Sequence, residues 1–212
     1  MDESGRQWSE LDAAWREAFR QAWEALRTGN IPVGACASTR DGEIVRAARN
    51  RVFDDDGPAG EVFGSALAHA ETNVLARLRY GQHRDLVLTT TLEPCLQCAA
   101  AIRLGPVAVV RFAGADPYWD GCHEFWRLSE REARRSRVER DGPRRDEIGV
   151  FGTLIARIGP GRTPAFERFL RTTGEGPALD LIRELHGDLG RLTAMTVDEA
   201  FARLWPRLRD LT

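Results

Sequence analysis

A strand, a helix and a second strand follow one another in residues 86–112, LVLTTTLEPCLQCAAAIRLGPVAVVRF. The first part, Leu86–Leu92, is rich in aliphatic and β-branched residues, which is typical of a strand. Cys95–Leu104 follows a proline and ends at a Gly-Pro pair, which predicts a short helix. Val107–Phe112 is almost wholly apolar and predicts a buried strand. Because parallel strands need a crossover connection, this order predicts a parallel pair joined by a helix.

The residues before this segment predict a helix, a hairpin and a second helix. Apolar residues recur at helical spacing between Leu11 and Leu26, which is the pattern of an amphipathic helix. Two β-like runs, Val33–Ser38 and Glu43–Arg49, flank an Asp-Gly pair, and that pair favours a hairpin. After a loop rich in Gly, Pro and Asp, residues 66–80 predict the second helix.

The residues after this segment predict a fifth strand and a helical extension. A charged helix is expected over residues 123–139 and a strand over Ile148–Ile158. The run Gly159-Pro160-Gly161 marks the best boundary in the chain. We therefore predict a main α/β domain over residues 1–158 and a helical C-terminal extension over residues 159–212. Apolar residues at helical spacing in the extension favour docking on the main domain.

The composition is that of an ordinary globular protein, with 42% apolar and 29% charged residues. No apolar stretch approaches the roughly 18 residues that a membrane span needs. The first residues, MDESGRQWSE, lack the cationic start and the apolar run of a signal peptide. We therefore predict a cytoplasmic protein with no membrane partner.

The basic residues are 30 arginines and no lysine, and the formal net charge is −2. The arginines are scattered through the chain, which indicates a coding bias rather than a phosphate-binding surface. A dedicated nucleic-acid-binding protein is expected to be strongly basic. The charge balance therefore disfavours nucleic acid as a partner but does not exclude it.

Four cysteines and one histidine motif direct attention to a metal. Cys36, Cys95, Cys98 and Cys122 are too few and too unevenly spaced for a secreted disulfide scaffold, so metal-binding or catalytic roles are favoured. Two of them lie in Pro94-Cys95-Leu96-Gln97-Cys98, and the upstream motif is His69-Ala70-Glu71. Together these match the H-x-E and P-C-x-x-C signature that is known for zinc deaminases.

The spacing of these residues suits a catalytic zinc site. Cysteines three apart at a helix start lie on one face within about one 5.4 Å turn, so Cys95 and Cys98 can bind one ion. The positive end of that helix favours the thiolate, which is the form that binds metal. With His69 as the third ligand, one position of a Zn²⁺ ion stays open, as in catalytic sites.

Glu71 lies two residues beyond a predicted ligand and can reach a water at the open position. Zinc can lower the pKa of such a water to about 7. We expect Glu71 to take the proton from the water, deliver it to a ring nitrogen and help ammonia to leave. The alternatives are a chance match and a closed structural zinc site, in which Cys122 or its neighbour His123 would supply the fourth ligand.

At this point the chain resembles the cytidine deaminase-like superfamily, in particular its branch of bacterial tRNA adenosine deaminases, guanine deaminases and related nucleobase deaminases. The matching stretches are Ile31–Ala35, Asn50, His69-Ala70-Glu71 and Thr91–Cys98, and the resemblance covers roughly residues 8–158. It implies a three-layer α/β/α fold with a mixed five-stranded sheet, zinc at helix N-termini, and a homodimer.

The resemblance also implies substrate contacts. Asn50 matches the family asparagine that contacts the substrate, and Val33, Ala35 and Ala70 would line the pocket. Asn50 is alternatively only a turn residue that closes a strand.

Further candidates lie after the second strand of the parallel pair, where related guanine deaminases place residues over the base. There the ring of Trp119 or Tyr118 can stack on a base, and Asp116 or Asp120 can accept a hydrogen bond. Ordinary turn chemistry explains Asp116 equally well.

Three hypotheses about function follow. The leading one is deamination of a small aminated heterocycle, such as a nucleobase, a nucleoside or a related metabolite. The second is a tRNA adenosine deaminase, which is disfavoured because the run Asp54-Asp55-Asp56 would repel a phosphate backbone if it faced the site. The third is a catalytically silent, zinc-stabilised interaction module.

Overall fold

The computed structural model describes residues 2–116, 124, 129–135, 138–159 and 176–212. Within these ranges the strands are β1 Gly34–Ser38, β2 Ile44–Arg49, β3 Leu86–Leu92, β4 Val107–Gly114 and β5 Glu139–Asp141. The helices are α1 Glu3–Glu10, α2 Ala13–Arg27, α3 Ala70–Ala76, α4 Leu96–Leu104, α5 Glu130–Arg135, α6 Glu147–Ile155, α7 Pro177–Gly187, α8 Leu189–Thr193 and α9 Val197–Arg209.

The five strands form one mixed sheet in the order β2-β1-β3-β4-β5. β1 pairs antiparallel with β2 and with β3, whereas β3–β4 and β4–β5 are parallel. The helix α4 connects β3 to β4, as the sequence of residues 86–112 predicts. The mixed five-stranded sheet of the predicted fold class is therefore confirmed.

The predicted fifth strand at Ile148–Ile158 is wrong. Residues 147–155 form the helix α6, whose first turn is capped by Asp146 accepting a hydrogen bond from the Gly149 N–H at 3.1 Å. The fifth strand is β5, which the sequence assigned to the end of a charged helix. A short apolar run does not distinguish a buried strand from a buried helix, and α6 is apolar on most sides because it packs between the sheet and the C-terminal helices.

Two helix starts also differ from expectation. The second predicted helix begins at Ala70 rather than Ala66, and His69 is its N-cap residue. The first predicted helix corresponds to α2, with Asp12 as the cap that accepts from the Trp15 N–H at 3.0 Å. The short helix α1 precedes it and was not predicted.

Two apolar cores lie on opposite sides of the sheet. One joins α3 and α4 to inward residues of the strands, including Ala70, Ile102 and Leu88. The other joins α2 and α6 to the C-terminal helices α7–α9. The molecule is thus a three-layer α/β/α structure in which α3 and α4 form one outer layer.

The described part of the predicted extension, residues 176–212, packs on the α2–α6 side. The Trp23 indole N–H donates to the Met195 carbonyl at 2.8 Å, and Arg27 donates to the Thr193 carbonyl at 2.9 Å. These contacts agree with the expected docking, while the boundary between residues 158 and 159 stays a prediction. Among the described residues, no helix is both long enough and apolar enough to cross a bilayer.

Candidate metal centre and active site

The predicted metal ligands lie at the starts of two helices. His69 is the N-cap residue of α3, and Cys95 is the N-cap residue of α4. Cys98 lies in the first turn of α4 and is fully buried. Pro94 follows β3 and cannot continue the ladder of hydrogen bonds, so the chain leaves the sheet and enters α4 at this point.

The side chains of these three residues converge. The Sγ atoms of Cys95 and Cys98 each lie 3.4 Å from the His69 Nδ1 atom. All three donor atoms are within 4.8 Å of one another. Tetrahedral zinc with Zn–S of about 2.3 Å and Zn–N of about 2.0 Å separates its ligand atoms by roughly 3.5 Å. The donor set and its spacing therefore fit a zinc ion and leave one coordination position for another ligand.

Electrostatics favour the thiolate that a metal requires. The hydrogen bond from Cys98 and the neighbouring His69 ring lower the pKa of Cys95 to about 4, although burial opposes this shift. The same cysteine pairing, together with burial, raises the pKa of Cys98. Cys95 is thus the more readily ionised of the two thiols, and a cation bound at this site would favour ionisation of the second.

Glu71 lies beside the three ligands in the first turn of α3. Its Oε1 atom accepts a hydrogen bond from the Thr90 hydroxyl at 3.0 Å, and its Oε2 atom lies 3.4 Å from the Cys98 Sγ atom. The carboxylate is almost fully buried. Burial raises the pKa of Glu71, which suits a group that must both accept and donate a proton near neutral pH.

Asn50 lies where β2 ends, one residue from a hydrogen bond that joins the Arg51 N–H to the carbonyl of Ala68 at 2.9 Å. Its side-chain Oδ1 accepts from the Val52 N–H at 3.1 Å, so it closes a turn, as the alternative reading holds. Within the described parts of the chain, its amide Nδ2 makes no hydrogen bond. That donor is therefore available to a ligand.

The predicted pocket-lining residues lie at the start of β1 and the start of α3. Val33, Ala35 and Ala70 are all buried, and Ala35 pairs with Thr90 across the sheet. Gly34 lets α2 approach β1 closely, because a Cβ atom there would overlap the Ala18 carbonyl oxygen.

Asp116 is buried directly after β4. Its backbone N–H donates to the Glu93 carboxylate at 3.3 Å, and its own carboxylate lies 3.8 Å from the Arg157 guanidinium. It is thus held close to the P-C-x-x-C motif, but with a carboxylate engaged by an arginine. The other candidates lie outside the described residues; they are Tyr118, Trp119, Asp120, Cys122 and His123.

The loop between β2 and α3 carries less unpaired negative charge than its sequence indicates. The carboxylate of Asp54 pairs with Arg49 and Arg51, each at 2.7 Å, and also accepts from the Asn30 amide. Asp55 remains exposed. The expected repulsion of phosphate by this loop is therefore weakened at one of its three aspartates.

Sequence reasoning did not identify two residues close to these groups. Thr90 was not singled out, although it contacts Glu71. Glu93 was noted only as part of a motif, yet it is buried and pairs with Arg140 from β5. Both residues are polar, buried and next to the metal-binding motifs. The sequence shows that they are polar and close to the motifs, but only the structure shows that they are buried.

Residues 9–113 match the family described as cytidine and deoxycytidylate deaminase zinc-binding region. A tRNA-specific adenosine deaminase of Streptococcus pyogenes is 30% identical over 131 residues, which is 59% of this chain and 77% of that protein. A structure from work on A-to-I editing by tRNA:A34 deaminases is 26% identical, with a TM-score of 0.48 over 60% of this chain and 95% of that chain. A guanine deaminase from Nitrosomonas europaea is 19% identical, with a TM-score of 0.48 over 69% and 84%.

The match over residues 9–113 contains both halves of the predicted metal centre. The alignment with the streptococcal enzyme spans most of that protein at a level of identity that indicates common descent. The chain belongs to the cytidine and deoxycytidylate deaminase zinc-binding family, and is a zinc-dependent hydrolytic deaminase acting on C–N bonds.

Proposed function

We propose that this protein deaminates a small aminated heterocycle, such as a nucleobase, a nucleoside or a related metabolite, and releases ammonia. The observation that carries the proposal is the buried Glu71 carboxylate beside the converging ligands His69, Cys95 and Cys98. A metal site with an open position next to a proton-transferring group is the arrangement that hydrolysis of an amidine-like C–NH₂ group needs.

The chain's own residues would divide the work as follows. His69, Cys95 and Cys98 would hold zinc, which supplies Lewis-acid activation of water when bound. Glu71 accepts a proton from the water, delivers it to the ring nitrogen and then assists the departure of ammonia. Asn50 donates a hydrogen bond from Nδ2 to an acceptor on the heterocycle.

The charge distribution near the site supports a small substrate. Arginines on the surrounding elements are paired with carboxylates, which neutralises charge that would otherwise attract a phosphate backbone. These pairs are Arg51–Glu61 at 2.5 Å, Arg77–Glu61 at 2.6 Å, Arg157–Asp116 at 3.8 Å, and Arg140–Glu93.

A tRNA adenosine deaminase is the second candidate. The 30% identity with a streptococcal tRNA-specific adenosine deaminase favours it, and so does the pairing of Asp54, which removes part of the expected repulsion of RNA. The base chemistry would be the same in both cases, so the two candidates differ in what surrounds the reacting ring.

Ammonia release distinguishes the two candidates. The zinc-loaded protein would be assayed with adenine, guanine, cytosine, their nucleosides and nucleotides, and unmodified transfer RNA. We expect turnover of at least one small molecule, with little dependence on salt. Turnover of transfer RNA alone, with affinity falling steeply as salt rises, would contradict the small-substrate proposal and support the second candidate.

We also propose a homodimer that buries the α3–α4 layer. The large exposed apolar side chains among the described residues all lie between residues 44 and 104, and none lies on α2 or α6–α9. They are Ile44, Phe53, Phe63, Leu67, Tyr80, Leu96 and Leu104. Leu96 and Leu104 are on α4, Tyr80 follows α3, Ile44 is on the edge strand β2, and the other three are in the loop before α3. Exposed apolar side chains on and next to these two helices are typical of an association surface.

Thiols kept as metal ligands suit a reducing compartment, and we propose the cytoplasm as the location of this protein.

Light scattering coupled to gel filtration tests the dimer. We expect the wild-type chain to have twice the monomer mass, and the double variant Leu67→Glu with Leu104→Glu to be monomeric. Ala202→Glu, on the exposed side of α9, is the matched control and should stay dimeric. A monomeric wild-type protein would contradict the proposal.

A further inference from the structure

Three consecutive threonines occupy the middle of the central strand β3. Thr89, Thr90 and Thr91 are all fully buried, although a strand covered on both faces is usually aliphatic. A buried hydroxyl costs free energy unless it has a hydrogen-bond partner. The partner of each hydroxyl therefore indicates why the position is polar.

Two of the hydroxyls face the α2 side of the sheet. The Thr89 Oγ1 atom accepts from the Arg111 guanidinium at 2.9 Å, and the Thr91 Oγ1 atom accepts from the Gly34 N–H at 3.2 Å. Both contacts join neighbouring strands to each other. They account for Thr89 and Thr91 as structural residues.

Thr90 faces the other side, because side chains alternate along a strand. Its hydroxyl donates to the Glu71 Oε1 atom at 3.0 Å, in fully buried surroundings. The other oxygen, Oε2, lies 3.4 Å from Cys98 Sγ. The two oxygens of Glu71 thus have different surroundings: one contacts the sheet and the other contacts a metal ligand.

The position of Thr90, which donates the hydrogen bond to Glu71, is fixed by the sheet. β3 lies between β1 and β4, and Thr90 pairs with Ala35 on one side and with Phe112 on the other. Its β-branched side chain has restricted rotation about χ1. The χ3 torsion of a glutamate, which rotates its carboxylate, has only weak intrinsic preferences. The orientation of the Glu71 carboxylate is therefore set by the groups that its oxygens contact.

We propose that Thr90 is a positioning residue for Glu71: its hydroxyl holds Oε1, so that Oε2 is the oxygen that faces the metal side and transfers protons. This inference rests on the proposed deaminase function. Proton transfer depends strongly on the distance and alignment of the donor and the acceptor. Without the Thr90 hydroxyl, the carboxylate is free to rotate away from its productive orientation.

The test compares Thr90→Val, Thr90→Ser and Thr89→Val. Valine keeps the shape of threonine and lacks the hydroxyl, whereas serine keeps the hydroxyl. We expect Thr90→Val to lower kcat about tenfold with KM nearly unchanged, and Thr90→Ser to restore most of the loss. Thr89→Val removes an equally buried hydroxyl on the opposite face and should leave kcat close to that of the wild type. Zinc content should be equal in all four proteins.

A second readout does not depend on activity. The infrared bands of the Glu71 carboxyl group can be isolated as the difference between the wild type and Glu71→Gln. We expect these bands to shift in Thr90→Val, to return in Thr90→Ser and to be unchanged in Thr89→Val.

Two results would overturn the inference: wild-type kcat with unshifted bands in Thr90→Val, or an equal loss of kcat in Thr89→Val. A wild-type protein without turnover on any substrate would instead contradict the proposed function, and the infrared comparison would still decide whether Thr90 holds Glu71.

Discussion

Glu71→Gln is expected to lower kcat about 10³-fold, the usual scale for loss of a general acid–base group. The amide has nearly the shape of the carboxylate, so the fold and the Thr90 contact are kept, but it cannot accept and release a proton. Because Glu71 is not one of the converging donors His69, Cys95 and Cys98, zinc content should stay at the wild-type level.

Ammonia release and zinc content, measured on the same samples, check this prediction. Cys98→Ser is the informative comparison, since it should lose both metal and activity. Equal ammonia release by Glu71→Gln and the wild type on a true substrate would remove Glu71 from the mechanism. If neither protein released ammonia from any of the small molecules, the small-heterocycle proposal would be contradicted.

The metal centre was predictable from the sequence because its residues lie in short motifs at helix starts. Cys95 and Cys98 are three residues apart, and a helix beginning there places both thiols on one side. His69 was assigned by its motif, and the structure places its ring nitrogen 3.4 Å from both cysteine sulfurs. Local spacing and a known sequence signature were sufficient to predict these three metal ligands.

Other features depend on tertiary contacts that a single sequence does not show. The helix α6 has the composition of a buried strand, and it is covered both by the sheet and by the C-terminal helices. The charge of Asp54 is neutralised by Arg49 and Arg51. These arginines are close to Asp54 in sequence, but no sequence motif indicates that their side chains point toward it. The role of Thr90 appears only when β3 and α3 are placed side by side.

The largest effect on stability is expected from Phe151→Ala in α6. Phe151 is fully buried, and its ring centroid lies 5.6 Å from that of Phe19, 5.3 Å from that of Phe201 and 6.4 Å from that of Trp23. Truncating a buried phenylalanine removes apolar contacts and leaves a cavity, which lowers the free energy of unfolding by about 3–5 kcal/mol. Arg191→Ala, at an exposed residue of α8, is the control and should change it little.

Variants in the same aromatic cluster test whether the chain divides into two folding units at residue 158. Phe201 lies in α9, so a docked extension shares one core with α2 and α6. Denaturant unfolding of Phe201→Ala should then show a single transition, destabilised to an extent similar to that of Phe151→Ala. The double variant should lose less than the sum of the two single losses, because the rings contact each other. Two separate transitions, with the metal centre unfolding at its wild-type midpoint, would show that the extension folds independently. A single shared transition would mean that residues 176–212 complete the core of the α2–α6 layer.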